Sequence, residues 1–382
     1  MSYVCVFVCC VCVNGCAVLP SSLASFFSPY LKTTTMSQSV ARLSRTVTLL
    51  PGLNPSVYTL SGTNTYLVGS GASRLLIDTG GPKSPVYVSN LVNCLSLNGC
   101  SLKAILCTHW HKDHTGGIAS LLQVYPDTPV HKFRLGTFEK KLIKNPIVHE
   151  EVFKVEGATL QALHTPGHAM DHMCFYLKEE EALFSGDLVL GGSTVVFNDL
   201  EKYLLSLQTL LQQRPRLKRI YPGHGTVVEQ GRDKINQDLE HRKLRERQIL
   251  EAVSRHRSGA NVAAIVDTIY AGYSEELKKA AEGGVKLHLL YLEKKGKVSA
   301  NQARVKQNTA PKEDPSQIYG PGGLSLSQIH NTMQRRESLD FELAAAERAA
   351  TGQEELGDSK GDIHIAHLAL AHIDNNILWQ AL

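Results

Sequence analysis

The sequence predicts a mixed α/β (α+β) fold, whose order of elements two sheets packed face to face with helices outside would accommodate, followed by a smaller second unit. Three observations lead there. Short β-rich runs alternate with helical patterns through the first part of the chain. The histidine- and aspartate-bearing motifs each sit where a strand-like run gives way to a loop, which would line them along one sheet edge. At 382 residues and 43% hydrophobic, the chain can bury one large core plus a small second unit.

The strand-like runs are Tyr58 to Val68, Arg74 to Asp78, Ala104 to Cys107, Leu160 to His164, Met173 to Leu177 and Ala182 to Phe184. All are short and rich in branched or aromatic residues. Helical spacing is found at Pro85 to Cys94, Ile118 to Val124 and Leu200 to Leu211. No internal repeat is evident. Residues 241–300 form the second unit: helix candidates at Arg245 to Ser254 and Asn261 to Ala271, then helical spacing from Val285 ending in a basic turn and a strand-like valine, Val298. Helix, turn, helix, basic turn, strand is the order of a winged helix. From His241 to Lys306 there are fourteen Lys and Arg against seven Asp and Glu. That local surplus suits a polyanion, with Lys294 and Lys295 as the expected phosphate contacts, whereas the net charge of +4 is too weak to argue for one. An oligomer contact or a cap on the enzyme body is the other reading of the same unit.

Residues 301–382 are expected to be a flexible tail. Lys306 to Gly323 has a linker's composition, Leu339 to Ala350 is a short helix candidate, and His364, His367 and His372 read as surface or partner-binding histidines. Residues 1–40 form an N-terminal extension, non-native or targeting. Its first 31 residues carry no charge, and its apolar run is too short to span a bilayer. Met36 is an alternative start, and the acid-free Ser- and Arg-containing stretch after it is compatible with import into the mitochondrial matrix; a cytoplasmic location is the alternative. Five of nine cysteines lie in the first sixteen residues. Cys94, Cys100, Cys107 and Cys174 lack zinc-ribbon spacing, which suits a reduced enzyme body.

The most informative stretch is Thr108-His109-Trp110-His111-Lys112-Asp113-His114, directly after an apolar run. Three histidines and an aspartate within six positions are hard to explain as packing, and imidazole and carboxylate are the ligands of water-activating zinc sites. Downstream, His168 closes His164-Thr165-Pro166-Gly167-His168, Asp187 follows Ser185-Gly186, and His224 lies in Tyr221-Pro222-Gly223-His224-Gly225. Taken singly, each of these is an ordinary loop residue. With the first motif they supply seven candidate ligands for two ions.

This ordered set resembles the metallo-β-lactamase superfamily, and Gly62 to Gly69, Ile77-Asp78-Thr79-Gly80, Asp171-His172-Met173 and Thr194 to Phe197 are similar to its animal endoribonucleases in the glyoxalase II-related group. The likeness covers about residues 41 to 300. It implies a four-layer αββα domain over 41–240 and a winged-helix-like unit over 241–300. It further implies one zinc ion on His109, His111 and His168, another on Asp113, His114 and His224, and Asp187 bridging them. Enzymes of the commonest zinc-dependent antibiotic-hydrolysing class usually carry cysteine where Asp187 stands, so the match is to hydrolases of phosphodiesters and thioesters. Asp78 is implied to steady the ligand loops from behind.

The expected function is a di-zinc endoribonuclease acting on single-stranded RNA, a monomer or weak homo-oligomer with no membrane partner. Water activated between two ions would leave 3′-hydroxyl and 5′-phosphate ends, with Asp113 orienting it. A glyoxalase II-like thioester hydrolase is the alternative. A non-catalytic scaffold is disfavoured, because no ligand position is substituted.

Overall fold

A computed structural model describes residues 39–56, 58–135, 145–302 and 377–381. Most of the N-terminal extension, including Met36 and the first two residues of the stretch on which the import expectation rests, lies outside the described residues. So do the Leu339 to Ala350 helix candidate and His364, His367 and His372.

The first sheet has seven strands in chain order: β1 (Ala41–Arg42), β2 (Val47–Pro51), β3 (Asn64–Val68), β4 (Ser73–Ile77), β5 (Ser101–Leu106), β6 (Val130–Lys132) and β7 (Asn145–Pro146). The first four run antiparallel, and β4 to β7 run parallel. Parallel neighbours need crossovers. Helix α1 (Pro85–Leu97) supplies the one from β4 to β5; the one-turn α2 (Lys112–Thr115) and α3 (Ile118–Val124) supply the one from β5 to β6. The second sheet holds β8 (Val152–Val155), β9 (Ala158–His164), β10 (Met173–Leu177), β11 (Ala182–Gly186) and β12 (Arg219–Pro222), in the order β12-β11-β10-β9-β8. Only β11 and β12 are parallel there, joined through α4 (Leu200–Gln213).

Strand side chains alternate between faces, and both faces of each sheet are covered. Tyr66, Leu75, Ile77 and Leu106 of the first sheet meet Leu160, Phe175, Phe184 and Tyr221 of the second in a dry central layer. Their neighbours Leu67, Leu76 and Ile105 turn outward onto Leu91, Leu95 and Leu121 of α1 and α3. On the far side Leu163, Leu183 and Ile220 pack against Leu200, Tyr203 and Leu207 of α4 and against Ile235 and Leu239 of α5 (Gly231–Arg255). Helix, sheet, sheet, helix is the four-layer order that the resemblance implied.

Three sequence expectations need correction. The strand placed at Tyr58 to Val68 begins only at Asn64, because Leu60 and Gly62 have φ of 55° and 120° and turn the chain out of extension. The boundary drawn at residue 241 falls inside one continuous helix, α5. Its first half buries Ile235 and Leu239 in the enzyme body, and its second half buries Ile249, Ala252 and Val253 in the second unit, so the two units share a rod.

The third concerns the tail. The second unit comprises the end of α5, α6 (Val262–Ile269), α7 (Glu275–Lys294) and a two-stranded sheet of β13 (Val298–Gln302) and β14 (Ile377–Ala381). Residues 377–381, expected in a flexible tail, therefore supply a strand of the wing. Trp379 is buried among Ile265, Leu289 and Val298, and its backbone also exchanges two hydrogen bonds with Ala260 at 2.8 and 3.0 Å. Apolar burial retains this strand, and no local sequence signal announced it. Replacing Trp379 with Leu is expected to cost roughly 2 kcal/mol, confined to the winged unit. Hydrogen exchange should show faster opening of α6 and α7 with β9 to β11 unchanged; uniform change across both units would contradict this assignment. Lys294 and Lys295, read from the sequence as phosphate contacts, both meet Glu201 at the start of α4 and tie the winged unit to the enzyme body. Among the described residues no helix is long and apolar enough to cross a membrane.

Candidate metal centre

All seven sequence-predicted ligands converge at one end of the two sheets. His109, His111, Asp113 and His114 follow β5 and wrap around α2; His168, Asp187 and His224 follow β9, β11 and β12. They form two adjoining groups, His109, His111, His168 and Asp187 in one, Asp113, His114 and His224 in the other.

In the first group His109 Nε2 lies 2.8 Å from His111 Nδ1 and 3.3 Å from His168 Nε2, with His168 Nε2 3.1 Å from His111 Nδ1. In the second, His114 Nε2, His224 Nε2 and Asp113 Oδ2 are 3.1 to 3.2 Å apart. Asp187 lies between the groups: Oδ1 is 3.4 Å from His114 Nε2, and Oδ2 is 3.3 Å from His224 Nε2 and 3.6 Å from His168 Nε2. Ligand atoms around a tetrahedral zinc at about 2.0–2.1 Å stand about 3.3–3.4 Å from one another. The spacing fits such an ion in each group.

The hydrogen bonds behind the rings decide which nitrogen faces inward. His114 donates from Nδ1 to Asp78 Oδ2 at 2.7 Å, and His168 from Nδ1 to the Val196 carbonyl at 2.7 Å. His224 Nδ1 lies 3.3 Å from the Gly62 carbonyl. His109 Nδ1 donates to Thr108 Oγ1, which donates on to Asp78 Oδ2, each at 2.9 Å. With Nδ1 occupied as a donor, Nε2 is the nitrogen that all four rings turn towards the ligand groups. In the first group, where the rings are neutral, the facing lone pairs of His109, His111 and His168 repel one another, and Asp187 Oδ1 is buried with no hydrogen bond. A cation relieves both, so the donor set fits metal.

Electrostatics divide the two groups. Burial pushes His109, His168 and His111 down, His111 to about 3, so all three stay neutral at physiological pH. Burial also acts to lower His114 and His224, but the surrounding carboxylates outweigh it; His114 rises well above its ordinary value and His224 to about 9. Burial alone would raise Asp113 and Asp187, yet His114 and His224 hold both well below the usual carboxylate range. The second group is thus acidic enough to retain positive charge, as a proton or as a metal ion.

Several supporting residues were quoted in the sequence motifs without a role. Asn64 donates to the carbonyls of Pro222 and Gly225 at 3.0 and 2.8 Å and so pins the loop of His224. Thr63 Oγ1 donates to Asp113 Oδ2 at 3.3 Å. His172 Nε2 accepts from the Asp187 amide at 3.1 Å, while its Nδ1 donates to Thr165 Oγ1. Strand-end polar residues without solvent-facing neighbours were the available signal. At Gly223 an added Cβ would stand 2.5 Å from Asp187 Oδ1 and 2.9 Å from His114 Cε1. Gly223→Ala is therefore expected to lower metal content at nearly unchanged secondary structure. Elemental analysis beside circular dichroism checks it; full metal loading in a folded variant would mean that the loop yields.

A four-layer sandwich carrying at one sheet edge two such groups able to hold metal ions defines the metallo-β-lactamase kind of hydrolase. A family model of the metallo-beta-lactamase superfamily matches residues 58–224, and one of the beta-lactamase associated winged helix domain matches 262–306. A beta-lactamase-like protein 2 homolog of Drosophila melanogaster is 39% identical over 276 residues, covering 69% of this chain and 94% of that protein. An atrochrysone carboxyl ACP thioesterase of Passalora fulva is 41% identical over 222 residues, 57% of this chain and 65% of that protein. A metallo-beta-lactamase family protein of Thermus thermophilus shares the fold, with a TM-score of 0.52 at 23% identity over 68% of this chain and 97% of that one. The chain belongs to the metallo-beta-lactamase superfamily.

Proposed function

We propose that the protein is a di-zinc endoribonuclease of single-stranded RNA, leaving 3′-hydroxyl and 5′-phosphate ends. The observation that carries this reading is Asp187 placed between two complete ligand groups on a body braced by a winged unit. Two zinc ions held there would supply Lewis acidity at the phosphate and lower the pKa of water towards neutrality.

The protein groups have separate tasks. His109, His111, His168, His114 and His224 would be the neutral donors to the ions, the last two once metal has displaced the proton they hold. Asp113, whose side chain is 26% exposed, is open to solvent, so it faces the incoming water. Held well below the usual carboxylate range, it accepts a hydrogen bond and orients that water, and is a poor base for removing its proton outright. The oxygen of water joins phosphorus, the bond to the 3′ oxygen breaks, and the proton ends on that 3′ oxygen. The sugar 2′-hydroxyl takes no part.

Beyond the metal pocket, binding of a polyanion rests on the winged unit. With Lys294 and Lys295 engaged by Glu201, the exposed Arg247 on α5 and Lys297 in the wing turn are better phosphate contacts. Replacing both with Ala should weaken single-stranded RNA binding and flatten its salt slope by about 0.7 per lost contact. Hydrolysis of a small chromogenic phosphodiester should be unchanged. Equal loss on both substrates would refute an RNA role for this face.

The relative named a thioesterase supports a second reading, thioester hydrolysis by the same ligand set. Purified protein offered single-stranded RNA, duplex RNA and a glutathione thioester side by side separates them. Turnover of the thioester alone would overturn the nuclease reading. A mitochondrial matrix location, proposed from the sequence after Met36, would be checked by fractionation of cells expressing the full chain.

A further inference from the structure

His168 owes its orientation to a backbone carbonyl, and that carbonyl belongs to an exposed residue. Val196 is 67% exposed, so its own side chain does little to fix the peptide that receives His168 Nδ1. Its neighbours Val195 and Phe197 are buried, at 5% and 4% exposure. The orientation of the carbonyl is decided by whatever holds those two.

Arg242 does so from the shared helix α5. Its Nη2 donates to the Val195 carbonyl at 2.8 Å. Its guanidinium lies 4.8 Å from the centre of the Phe197 ring and 5.4 Å from that of Tyr203, both within cation–π reach. Phe197 in turn stacks on Tyr203 at 5.5 Å and meets the edge of His288 of α7 at 5.7 Å. Beyond the ring, the amides of Asn198 and Asp199 donate to the Gly167 carbonyl at 2.8 and 3.1 Å, tying the same turn to the loop of His168. One face of the turn touches the metal centre, and the other touches the two helices of the winged unit.

We propose that Arg242 is a positioning residue of the metal centre, acting through the Val195–Phe197 turn and the Val196 carbonyl on His168. The winged unit is then part of what orders the ligand set, whatever it also binds. The inference rests on the metal reading of the His109, His111 and His168 group, and is independent of whether RNA is the substrate. Outer partners of metal ligands typically set affinity by ten- to a hundredfold; a residue one step further out belongs at the lower end.

The test compares the full-length protein with Arg242→Met and Arg242→Lys. Zinc affinity is measured by chelator competition that resolves two equivalents, and the His168 tautomer by long-range proton–nitrogen correlation of the metal-free protein. Arg242→Met should weaken one equivalent about tenfold, leave the other in place and erode the His168 Nδ1–H signal. Arg242→Lys, which keeps a donor for the Val195 carbonyl, should recover part of both. Parent affinity for both equivalents with an intact Nδ1–H signal would overturn the proposal, as would equal weakening of both in step with a fall in Tm. If Arg242→Met does not fold, Phe197→Leu removes the ring stack while keeping the Arg242 hydrogen bond, and the same readouts decide. A parent protein that binds no zinc would overturn the metal reading itself, whereas an indifferent Arg242→Met on a parent that binds two would overturn only this inference.

Discussion

Asp187→Ala is expected to strip most of the metal from the protein and to cut hydrolysis by at least about a thousandfold, the equivalent of several kcal/mol of lost transition-state stabilisation. Among the described residues Asp187 is the one side chain whose two oxygens approach both ligand groups. Metal analysis and turnover of a small phosphodiester check this together. A variant retaining about two equivalents of zinc would refute the bridging position. The same carboxylate shapes the pH response. In the metal-free protein, burial pushes His224 down but Asp187, with Asp113, raises it to about 9, so His224 is protonated at neutral pH. Metal must displace that proton. Affinity should therefore strengthen as pH rises towards about 9 and weaken below it, with proton release on binding at neutral pH. Calorimetry in two buffers of different ionisation enthalpy measures the release, and a buffer-independent heat would contradict it.

Asp78→Ala should have the next largest effect. Its carboxylate takes the Thr108 amide at 2.8 Å on one oxygen, and the Thr108 hydroxyl and His114 Nδ1 on the other. Removing it leaves a buried amide without an acceptor, at about 1–3 kcal/mol. Asp78 also has φ of 60°, a conformation that costs Ala about 1 kcal/mol more than Asp or Asn. The expected total is about 2–4 kcal/mol of stability, together with a ten- to hundredfold loss of zinc affinity, since His114 loses the partner that fixes its ring. Asp78→Asn separates the two effects. It keeps the backbone conformation, but sets an amide against a ring N–H and should still lose affinity. Parent affinity in Asp78→Asn would mean that His114 is held by packing alone.

The candidate cluster was legible in the sequence because metal-ligating side chains are of few kinds and gather at strand ends, and the six positions from His109 to His114 hold four of them. Short β-rich runs likewise marked β9, β10 and β11, whose residues face a packed layer on each side. Strands such as β6 and β8 were not legible, since three or four residues carry too little periodicity to stand out. Nor was the unity of α5, a polar helix whose buried face changes partner half-way along.

By itself the sequence determined the chemistry available: seven histidine and aspartate side chains as candidate donors, aspartate and not cysteine at position 187, and a basic second unit. Tertiary structure alone decided which atoms meet. Tautomers are set by oxygens distant in the chain, such as Val196 for His168 and Asp78 for His114. The winged unit is closed by Trp379 from the far end of the chain and braced on the enzyme body through Arg242, Lys294 and Lys295. Such contacts leave no local trace, because burial and hydrogen bonding act between residues adjacent in space, whereas periodicity and propensity record only those adjacent along the chain.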